Sequence, residues 1–517
     1  MEDLSKLSPF ELKNYLIEVA KDAHGSLMLN AGRGNPNFIA TIPREGYYKL
    51  GQFALQESEK TFSYLSVGLG GFPNKAGITE RLYSYLDDSV GSQFIRKSVS
   101  YVRDQLGIDA DDFVYEMSES ILGMMYPDPD RMLVNSEKIV KKYIEKEMGN
   151  PNKPFDLFAV EGGTAAMAYI FETLEQNFIL KKGDKIALGA PIFTPYIEIP
   201  KLREYDMVEI NVEADEENSW QFADSELEKL LDPEIKAFFL VNPSNPPSVK
   251  MSDEKLAKLA EIIEKRPDLI VLTDDVYGTF ADDFSSIFSV SPKNTILVYS
   301  YSKYFGSTGW RLGVIGLAED NILDDMLQKQ TKDQKEALIE RYSSIAAKPE
   351  EIKFIDRFVA ESRIVALNHT AGLATPAQVQ MVLFSLFSLI DTEDIYKNAV
   401  KSLIRHRKNA LYNELNVSQP DDENSVDYYN LIEVKEIAGA VYGEDFAAWV
   451  EANKDPDQGL FELAKGSGTV LLPANGFGTT DPGFRVSLAN LNEYDYVKIA
   501  DAVKNLLAKY YEEFKKS

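Results

Sequence analysis

Short apolar runs alternate with segments of helical pattern through the middle of the chain. The runs read FDLFAV, DKIALGA, MVEINV, KAFFLV, LIVLTDD and TILVYS, and the segments between them include AAMAYIFETLEQ and SDEKLAKLAEIIEK. The second of these segments opens with Ser252 and has acidic residues in its first turn, which is typical of a helix start. Continuous apolar runs separated by helices predict an α/β fold, a mostly parallel sheet covered by helices on both faces.

The pattern differs on either side of this block. Residues 75–125 are mainly of helical pattern, whereas after residue 390 helices are followed by short strands and turns, and helix returns from Tyr494. We therefore predict four parts: an N-terminal segment (1–60) that contributes to a small domain and to the entrance of an active site, a mainly helical insertion (61–125), a large ligand-binding domain (126–390) and a smaller C-terminal α/β domain (391–517).

Composition and charge narrow the class of protein. The chain has 517 residues, of which 44% are hydrophobic, so it is long enough for two or three domains with sizeable cores. Its formal net charge of -27 at pH 7 repels nucleic acid and anionic membranes. We therefore expect neither of these as a partner.

Residue types and segments that the chain lacks exclude further kinds of site and further classes of protein. The absence of cysteine excludes disulfides, thiolate catalysis and zinc–thiolate sites, and three histidines are too few to favour a histidine metal site. No metal is therefore predicted. The N-terminal pattern is not that of a signal peptide, and the most apolar run, MVLFSLFSLI at 381–390, is too short to span a bilayer. We expect a cytoplasmic enzyme.

Lys303 follows the apolar run TILVYS, in the stretch SYSKYFGSTGWRLG. An amine at the end of a buried strand is partly removed from water, which favours the neutral form that attacks carbonyl carbons. Arg311 follows eight positions later, and Gly306 and Gly309 allow a turn that returns its guanidinium to the same pocket, where it can grip a phosphate beside the Ser300 hydroxyl. The alternative is an ordinary strand-end lysine with its amine in water.

Three other strand ends carry residues that suit a phosphorylated ring. EGGTAAM opens a helix, so the N–H groups of Gly163 and Thr164 can bind phosphate, although Gly-rich turns of this kind are common. In LTDDVYGTF, Asp274 can pair with a protonated ring nitrogen and Tyr277 with a ring hydroxyl. In VNPSNPPS, the Asn242 amide can hydrogen-bond a ring oxygen. Taken singly, each motif is also explained as an ordinary loop or turn.

In this order the motifs resemble the fold-type I aminotransferase superfamily, which uses pyridoxal 5'-phosphate. The resemblance covers roughly residues 120–490 and implies a mostly parallel central sheet plus a smaller α/β domain. It implies that Lys303 bonds covalently to the cofactor and that Asp274 keeps the ring nitrogen protonated, so that the ring accepts electrons. The other implied cofactor ligands are Asn242 and Tyr277 for the ring oxygen, and Gly163, Thr164, Ser300 and Arg311 for the phosphate.

The resemblance extends beyond these motifs. Phe193, in PIFTPY, corresponds to an aromatic residue over the ring face. Arg485, in PGFRVSLANL, corresponds to the arginine that binds the substrate α-carboxylate, although a surface arginine at a strand end has the same pattern. Tyr126, in MMYPDPDRML, corresponds to a tyrosine that reaches the phosphate of the neighbouring subunit, which implies a homodimer with shared active sites. We interpret His369, in LNHTAGLATPAQ, as structural.

Four phrases resemble the aspartate 4-decarboxylase branch: SPFELKNYLI, LNAGRGNPNF, AVEGGTAAM and YPDPDRML. The branch implies β-decarboxylation of L-aspartate to L-alanine and CO2, slower transamination with an oxo acid such as pyruvate as acceptor, and assemblies larger than a dimer. This reaction needs a second cationic site, for the β-carboxylate. Arg33 is the first candidate and Lys13 the second, and both residues can also be structural.

Two alternatives to this function stay open. A plain aminotransferase for aspartate or another amino acid needs the same cofactor residues, so only its products separate it from a decarboxylase. An inactive relative with a binding or regulatory role is the other alternative. The intact Lys303, Asp274, Arg311 and Arg485 argue against it.

Overall fold

The structure is a computed structural model of the chain. It describes residues 4, 7, 9–25, 28–65, 67–202, 205–363, 372–419, 421–478 and 483–517. In these ranges no helix is both long and apolar enough to cross a membrane. In the same ranges, no three His, Asp or Glu side chains lie close enough together to hold a metal ion.

A seven-stranded sheet forms the centre of the large part of the molecule. Its strands are β2 (Phe155–Val160), β3 (Lys185–Ala190), β4 (Val208–Glu213), β5 (Ile235–Val241), β6 (Ile270–Asp274), β7 (Thr295–Ser300) and β8 (Gly313–Ala318). They lie in the order β2-β8-β7-β6-β5-β3-β4. β8 runs in the direction opposite to the other six strands, so the sheet is mostly parallel.

Both faces of this sheet are covered, because consecutive residues of one strand point into different cores. Phe238 of β5 belongs to one buried cluster and Phe239 to another. In β6, Val271 and Leu272 are divided between the clusters in the same way. This arrangement confirms the predicted α/β fold and explains why the strands read as continuous apolar runs.

Helices surround the sheet and form the flanking parts of the chain. In the first half they are α1 (Pro9–His24), α2 (Thr41–Thr61), α3 (Ile78–Tyr85), α4 (Val90–Leu106), α5 (Ala110–Ile121), α6 (Val134–Met148), α7 (Gly163–Gln176), α8 (Pro195–Lys201), α9 (Asp224–Leu227) and α10 (Asp253–Lys265). In the second half they are α11 (Ile287–Val290), α12 (Ile322–Gln328), α13 (Lys332–Tyr342), α14 (Phe354–Glu361), α15 (Thr375–Ile390), α16 (Ile395–Leu415), α17 (Val434–Tyr442), α18 (Glu444–Asn453), α19 (Pro456–Ser467) and α20 (Glu493–Phe514).

The N-terminal segment is joined to the C-terminal part of the chain. The short strand β1 (Leu29–Asn30) pairs in parallel with β10 (Thr469–Val470), and α1 packs against α19. Beside them, β11 (Leu472–Pro473), β12 (Phe484–Ser487) and β9 (Tyr429–Ile432) form a three-stranded antiparallel sheet. The loop after β1 is thereby held between the two parts of the molecule.

Candidate active site

One cavity of about 460 Å³ lies where the carboxyl ends of β6 and β7 meet the N-terminal loop and the small antiparallel sheet. Parallel sheets place ligands at this edge. The lining includes most of the residues singled out from the sequence, which are Lys13, Arg33, Gly163, Thr164, Phe193, Asp274, Tyr277, Ser300, Lys303, Arg311 and Arg485. The structure therefore brings together residues far apart in the chain, and their chemical roles stay predictions.

Lys303 lies at the centre of this cavity, three residues after the end of β7. Its Nζ donates to the carbonyl oxygen of Gly34 over 3.0 Å. The Tyr428 hydroxyl donates to the same oxygen over 2.8 Å. The lysine is half-buried and held by a neutral backbone group, so its amine is free of any direct ion pair among the described residues.

A concave anion site lies beside the lysine, at the start of α7. No side chain caps this helix, and Gly163 and Thr164 of its first turn line the cavity, so their N–H groups are available to an anion there. Arg311 adopts a positive φ of 56° and donates from Nη2 to the Glu161 carbonyl over 3.1 Å. A Cβ on Gly162 would lie 2.5 Å from that Nη2, so only glycine allows the guanidinium to approach.

Asp274 ends β6 and is buried below the cavity. The Tyr196 hydroxyl donates to its Oδ2 over 3.3 Å, and the Val276 N–H donates to Oδ1 over 3.2 Å. Burial raises the pKa of Asp274 to about 6, against the opposing effects of these hydrogen bonds and of Lys303. A buried carboxyl group of this kind gains a partner if a cationic ring nitrogen binds above it.

The two asparagines of the NPSNPP turn have different positions, and the sequence prediction chose the first. Asn242 does not line the cavity, because its Oδ1 accepts from the Met251 N–H over 2.9 Å and the side chain stays inside the turn. Asn245 lines the cavity instead, with its Nδ2 3.5 Å from the Tyr277 hydroxyl. The cavity is therefore lined by Asn245 and not by the predicted Asn242, and the contact of either amide with a ring oxygen stays a prediction.

Arg485 of β12 is a buried cation whose hydrogen bonds go to neutral groups. Its Nη1 donates to Asn245 Oδ1 over 2.9 Å and its Nη2 to the Gly32 carbonyl over 2.8 Å. Its guanidinium carbon lies 4.2 Å from the ring centroid of Tyr429 and 4.5 Å from that of Phe477. Burial lowers the pKa of Arg485, and no acidic side chain pairs with it within the described ranges. A carboxylate ligand would supply the missing counter-charge.

Two further cations flank the same cavity. Lys13 comes from α1, and Arg33 from the loop after β1. Burial lowers the pKa of Lys13, and the nearby charges of Arg33 and Arg485 lower it further. Three positive side chains around one small volume favour a ligand with more than one negative group.

Tyr126, like Asn242, is a predicted cofactor residue that does not line the cavity. It follows α5 and is 61% exposed. Its expected role concerns the site of a second subunit and stays a prediction. His369 lies outside the described residues.

Three tyrosines of the site were missed or left without a role by the sequence analysis. Tyr196 belongs to the quoted phrase PIFTPY but was not connected with Asp274. Tyr428 and Tyr429 form a pair whose pattern is that of any short strand, so no sequence signal marks them. Their approach to the cavity depends on the docking of β9 beside β12.

Comparison with known proteins adds to this geometry. A family model, Aminotransferase class I and II, matches residues 126–503. The bifunctional aspartate aminotransferase and L-aspartate beta-decarboxylase of a Pseudomonas species is 54% identical over 99% of this chain and 98% of its own length. The aspartate aminotransferase of Pyrococcus horikoshii is 26% identical, over 48% of this chain and 64% of its own length.

Solved structures share the fold at much lower identity. The aspartate aminotransferase of Rhizobium meliloti aligns over 98% of both chains with a TM-score of 0.60 and 16% identity. A Thermus thermophilus aspartate aminotransferase aligns over 97% of this chain and 96% of its own, with a TM-score of 0.58 and 16% identity. From the family match and the near full-length relative together, this chain belongs to the class I and II aminotransferases.

Proposed function

We propose that this protein is a pyridoxal-phosphate enzyme that converts L-aspartate into L-alanine and CO2, with aspartate aminotransferase as a side activity. The observation that carries the proposal is the convergence of Arg485, Arg33 and Lys13 on the cavity that contains Lys303. A substrate with two carboxylates matches this distribution of charge. The bifunctional Pseudomonas relative supports the same reaction pair.

The residues of the cavity fit pyridoxal phosphate on structural grounds. The uncapped start of α7 and the Arg311 guanidinium suit its phosphate. The buried Asp274 carboxyl suits its ring nitrogen, and Tyr277 with Asn245 suits its ring oxygen. Lys303 is the amine that would hold its aldehyde carbon. When bound, the cofactor supplies an electron sink for bonds broken at the substrate.

The protein side chains have separate tasks in the proposed reaction. Arg485 and Asn245, already joined by a hydrogen bond of 2.9 Å, bind the α-carboxylate and fix the substrate's orientation. Lys303 removes the proton at the substrate Cα and returns it, since its amine has only a backbone partner to give up. Asp274 holds a positive charge at the ring nitrogen by remaining ionised beneath it.

Arg33 and Lys13 hold the β-carboxylate in this proposal. Both line the cavity, and Arg33 is exposed at its mouth. Cationic groups keep the leaving carboxylate ionised and oriented, which its departure as CO2 requires. A plain aminotransferase does not break the carbon–carbon bond to this carboxylate, so we expect substitutions of these two residues to change the ratio of the two activities.

The assembly belongs to the same proposal. Tyr126 and its neighbour Met125, itself 54% exposed, place two apolar side chains at the surface between α5 and α6. In a homodimer this surface would be covered, and Tyr126 would complete the phosphate site of the other subunit. Larger assemblies of such dimers, and a cytoplasmic location, are further parts of the proposal.

The deciding experiment is product analysis. The purified protein is incubated with pyridoxal phosphate, L-aspartate and a trace of pyruvate, and CO2, alanine and oxaloacetate are measured. We expect CO2 and alanine in equal amounts, far above the pyruvate supplied. Alanine limited by pyruvate, with matching oxaloacetate and no enzymatic CO2, would establish a plain aminotransferase and remove the role given to Arg33 and Lys13.

A further inference from the structure

Tyr429 is a buried residue of the site that the proposed reaction does not use. It begins β9 and pairs in register with Ser487, two positions after Arg485 in β12. Its N–H donates to the Ser248 hydroxyl over 2.8 Å, which ties the strand to the end of the Asn-Pro turn. The side chain is thereby fixed between the α-carboxylate site and the ring-oxygen site.

The Tyr429 hydroxyl reaches the centre of the cavity. It lies 2.9 Å from the Tyr277 hydroxyl. It also lies 2.0 Å from the position that a Cβ on Gly34 would take, and that same position is 3.3 Å from Lys303 Nζ. The phenol therefore occupies space beside both the lysine and the residue assigned to the ring oxygen.

The hydrogen count on Tyr277 allows Tyr429 to be the donor in this contact. A phenol has one proton to donate and two lone pairs that accept. Asn245 Nδ2 lies 3.5 Å from the Tyr277 oxygen and can only donate to it. If Tyr429 also donates to that oxygen, both lone pairs are used and the Tyr277 proton is left for a third group in the cavity.

We propose that Tyr429 is a positioning residue: by donating to Tyr277, it fixes the Tyr277 O–H on the ring oxygen of bound pyridoxal phosphate and so sets the pH at which the bound cofactor gains its proton. This inference deepens the proposed function and rests on it. Burial raises the pKa of Tyr277 well above its ordinary value, so Tyr277 stays a neutral donor throughout the working pH range.

The Tyr429 ring has a second task that can be separated from the first. It faces the Arg485 guanidinium at 4.2 Å, a cation–π contact that the ring supplies. The hydroxyl also acts on Arg485, since a hydrogen bond with Tyr429 opposes the effect of burial on the Arg485 pKa. Tyr429→Phe therefore removes the donor and keeps the cation–π contact. Tyr429→Leu removes both.

The test is a pH titration of the absorbance of the bound cofactor, in holoenzyme without substrate. A donor held on the ring oxygen withdraws charge from it and makes the bound cofactor less basic. In Tyr429→Phe we expect the titration midpoint to rise by about half a pH unit or more. The KM for aspartate should stay within about threefold in Tyr429→Phe and rise by about tenfold or more in Tyr429→Leu.

The matched control is Tyr412→Phe. The Tyr412 hydroxyl donates to Asn430, the neighbour of Tyr429 in the same strand, without contact to Tyr277. Tyr412 lies in α16, so this variant removes a phenol hydroxyl that contacts β9 from a neighbouring helix, and its midpoint should equal that of the wild type. An unchanged midpoint in Tyr429→Phe, or an equal shift in the control, would overturn the inference.

A double variant tests whether the effect passes through Tyr277. In a Tyr277→Phe background, Tyr429→Phe should cause no further shift of the midpoint. A second shift as large as the first would also overturn the inference. If instead the wild-type protein shows no cofactor absorbance that depends on Lys303, the proposed function itself fails, and the two failures are distinguishable.

Discussion

Gly34 has no room for a side chain, and this follows from three neighbours that meet above its Cα. Its carbonyl oxygen accepts from Lys303 and from Tyr428. On the other side, an added Cβ would lie 2.0 Å from the Tyr429 hydroxyl. The glycine thus lets the N-terminal loop pass between the lysine and the tyrosine pair.

Gly34→Ala should therefore reduce kcat/KM for aspartate by about tenfold or more, because the methyl group must displace Tyr429 or the loop itself. Steady-state kinetics with the melting temperature measured alongside would check it. Gly466→Ala is the control, since nothing lies within 4 Å of a Cβ there and the backbone is helical. Wild-type kinetics in Gly34→Ala would show that the loop shifts freely.

Asp275 is a buried carboxyl group whose protonation affects the stability of the fold. It is fully buried, its Oδ1 accepts from the Thr273 hydroxyl over 2.5 Å, and its Oδ2 has no hydrogen-bond partner. Burial and the neighbouring Asp274 raise its pKa to about 7. The folded state therefore keeps a proton that the unfolded chain has already released, and stability falls as pH rises from about 4 to about 7.

Asp275→Asn should remove this part of the pH dependence. Between pH 5.5 and 7 the wild type should lose about 2 kcal/mol of stability through this group, and the variant should not. Melting temperatures of both proteins across that range, without added cofactor, would measure the difference. Asp88→Asn, on the exposed surface, is the control. Parallel curves for Asp275→Asn and the wild type would contradict the prediction.

At the scale of elements, the large sheet was predictable and the small one was not. FDLFAV and TILVYS became β2 and β7 with the bounds of the apolar runs, because both strands are buried at every position and are therefore mostly apolar from end to end. The Ser252 hydroxyl caps α10 by accepting from the Lys255 N–H, as the first-turn pattern indicated.

β8 was not among the predicted runs, and its antiparallel direction had no signal in the sequence, since an apolar run looks the same in either direction. The strands β9, β11 and β12 are short and pair with segments distant in the chain, so their partners depend on tertiary packing. Arg485 was identified from its motif, PGFRVSLANL. The position of Tyr429 depends on the pairing of β9 with β12 and was therefore not predicted. The division into four parts stays a prediction.

At the scale of the whole molecule, the shared active site is the main expectation. Tyr126 is exposed and outside the cavity of its own chain. If it completes the site of a second subunit, one subunit can lack Lys303 and the other Tyr126, and one intact site remains.

Hybrid assemblies of Lys303→Ala and Tyr126→Ala subunits, co-expressed with different tags, should show about half of the wild-type activity, although each parent is nearly inactive. Decarboxylation assays on the purified hybrids would measure this. Hybrids of Lys303→Ala with wild-type subunits provide the reference, and they should also show about half of the wild-type activity. Hybrids as inactive as the two parents would place Tyr126 outside the neighbouring site.

The joining of the first and last parts of the chain has a consequence for synthesis. Asn490 donates to the Asn30 carbonyl across 460 positions, and Arg485 donates to the Gly32 carbonyl across 453. The loop that carries Arg33 therefore lacks these two hydrogen bonds until the ribosome has made almost the entire polypeptide, although its Gly34 carbonyl also accepts from Lys303 in the middle of the chain. A nascent chain can fold its central sheet early, yet it acquires a substrate site only at the end. Chains that terminate early therefore lack the substrate site, and we expect them not to consume aspartate.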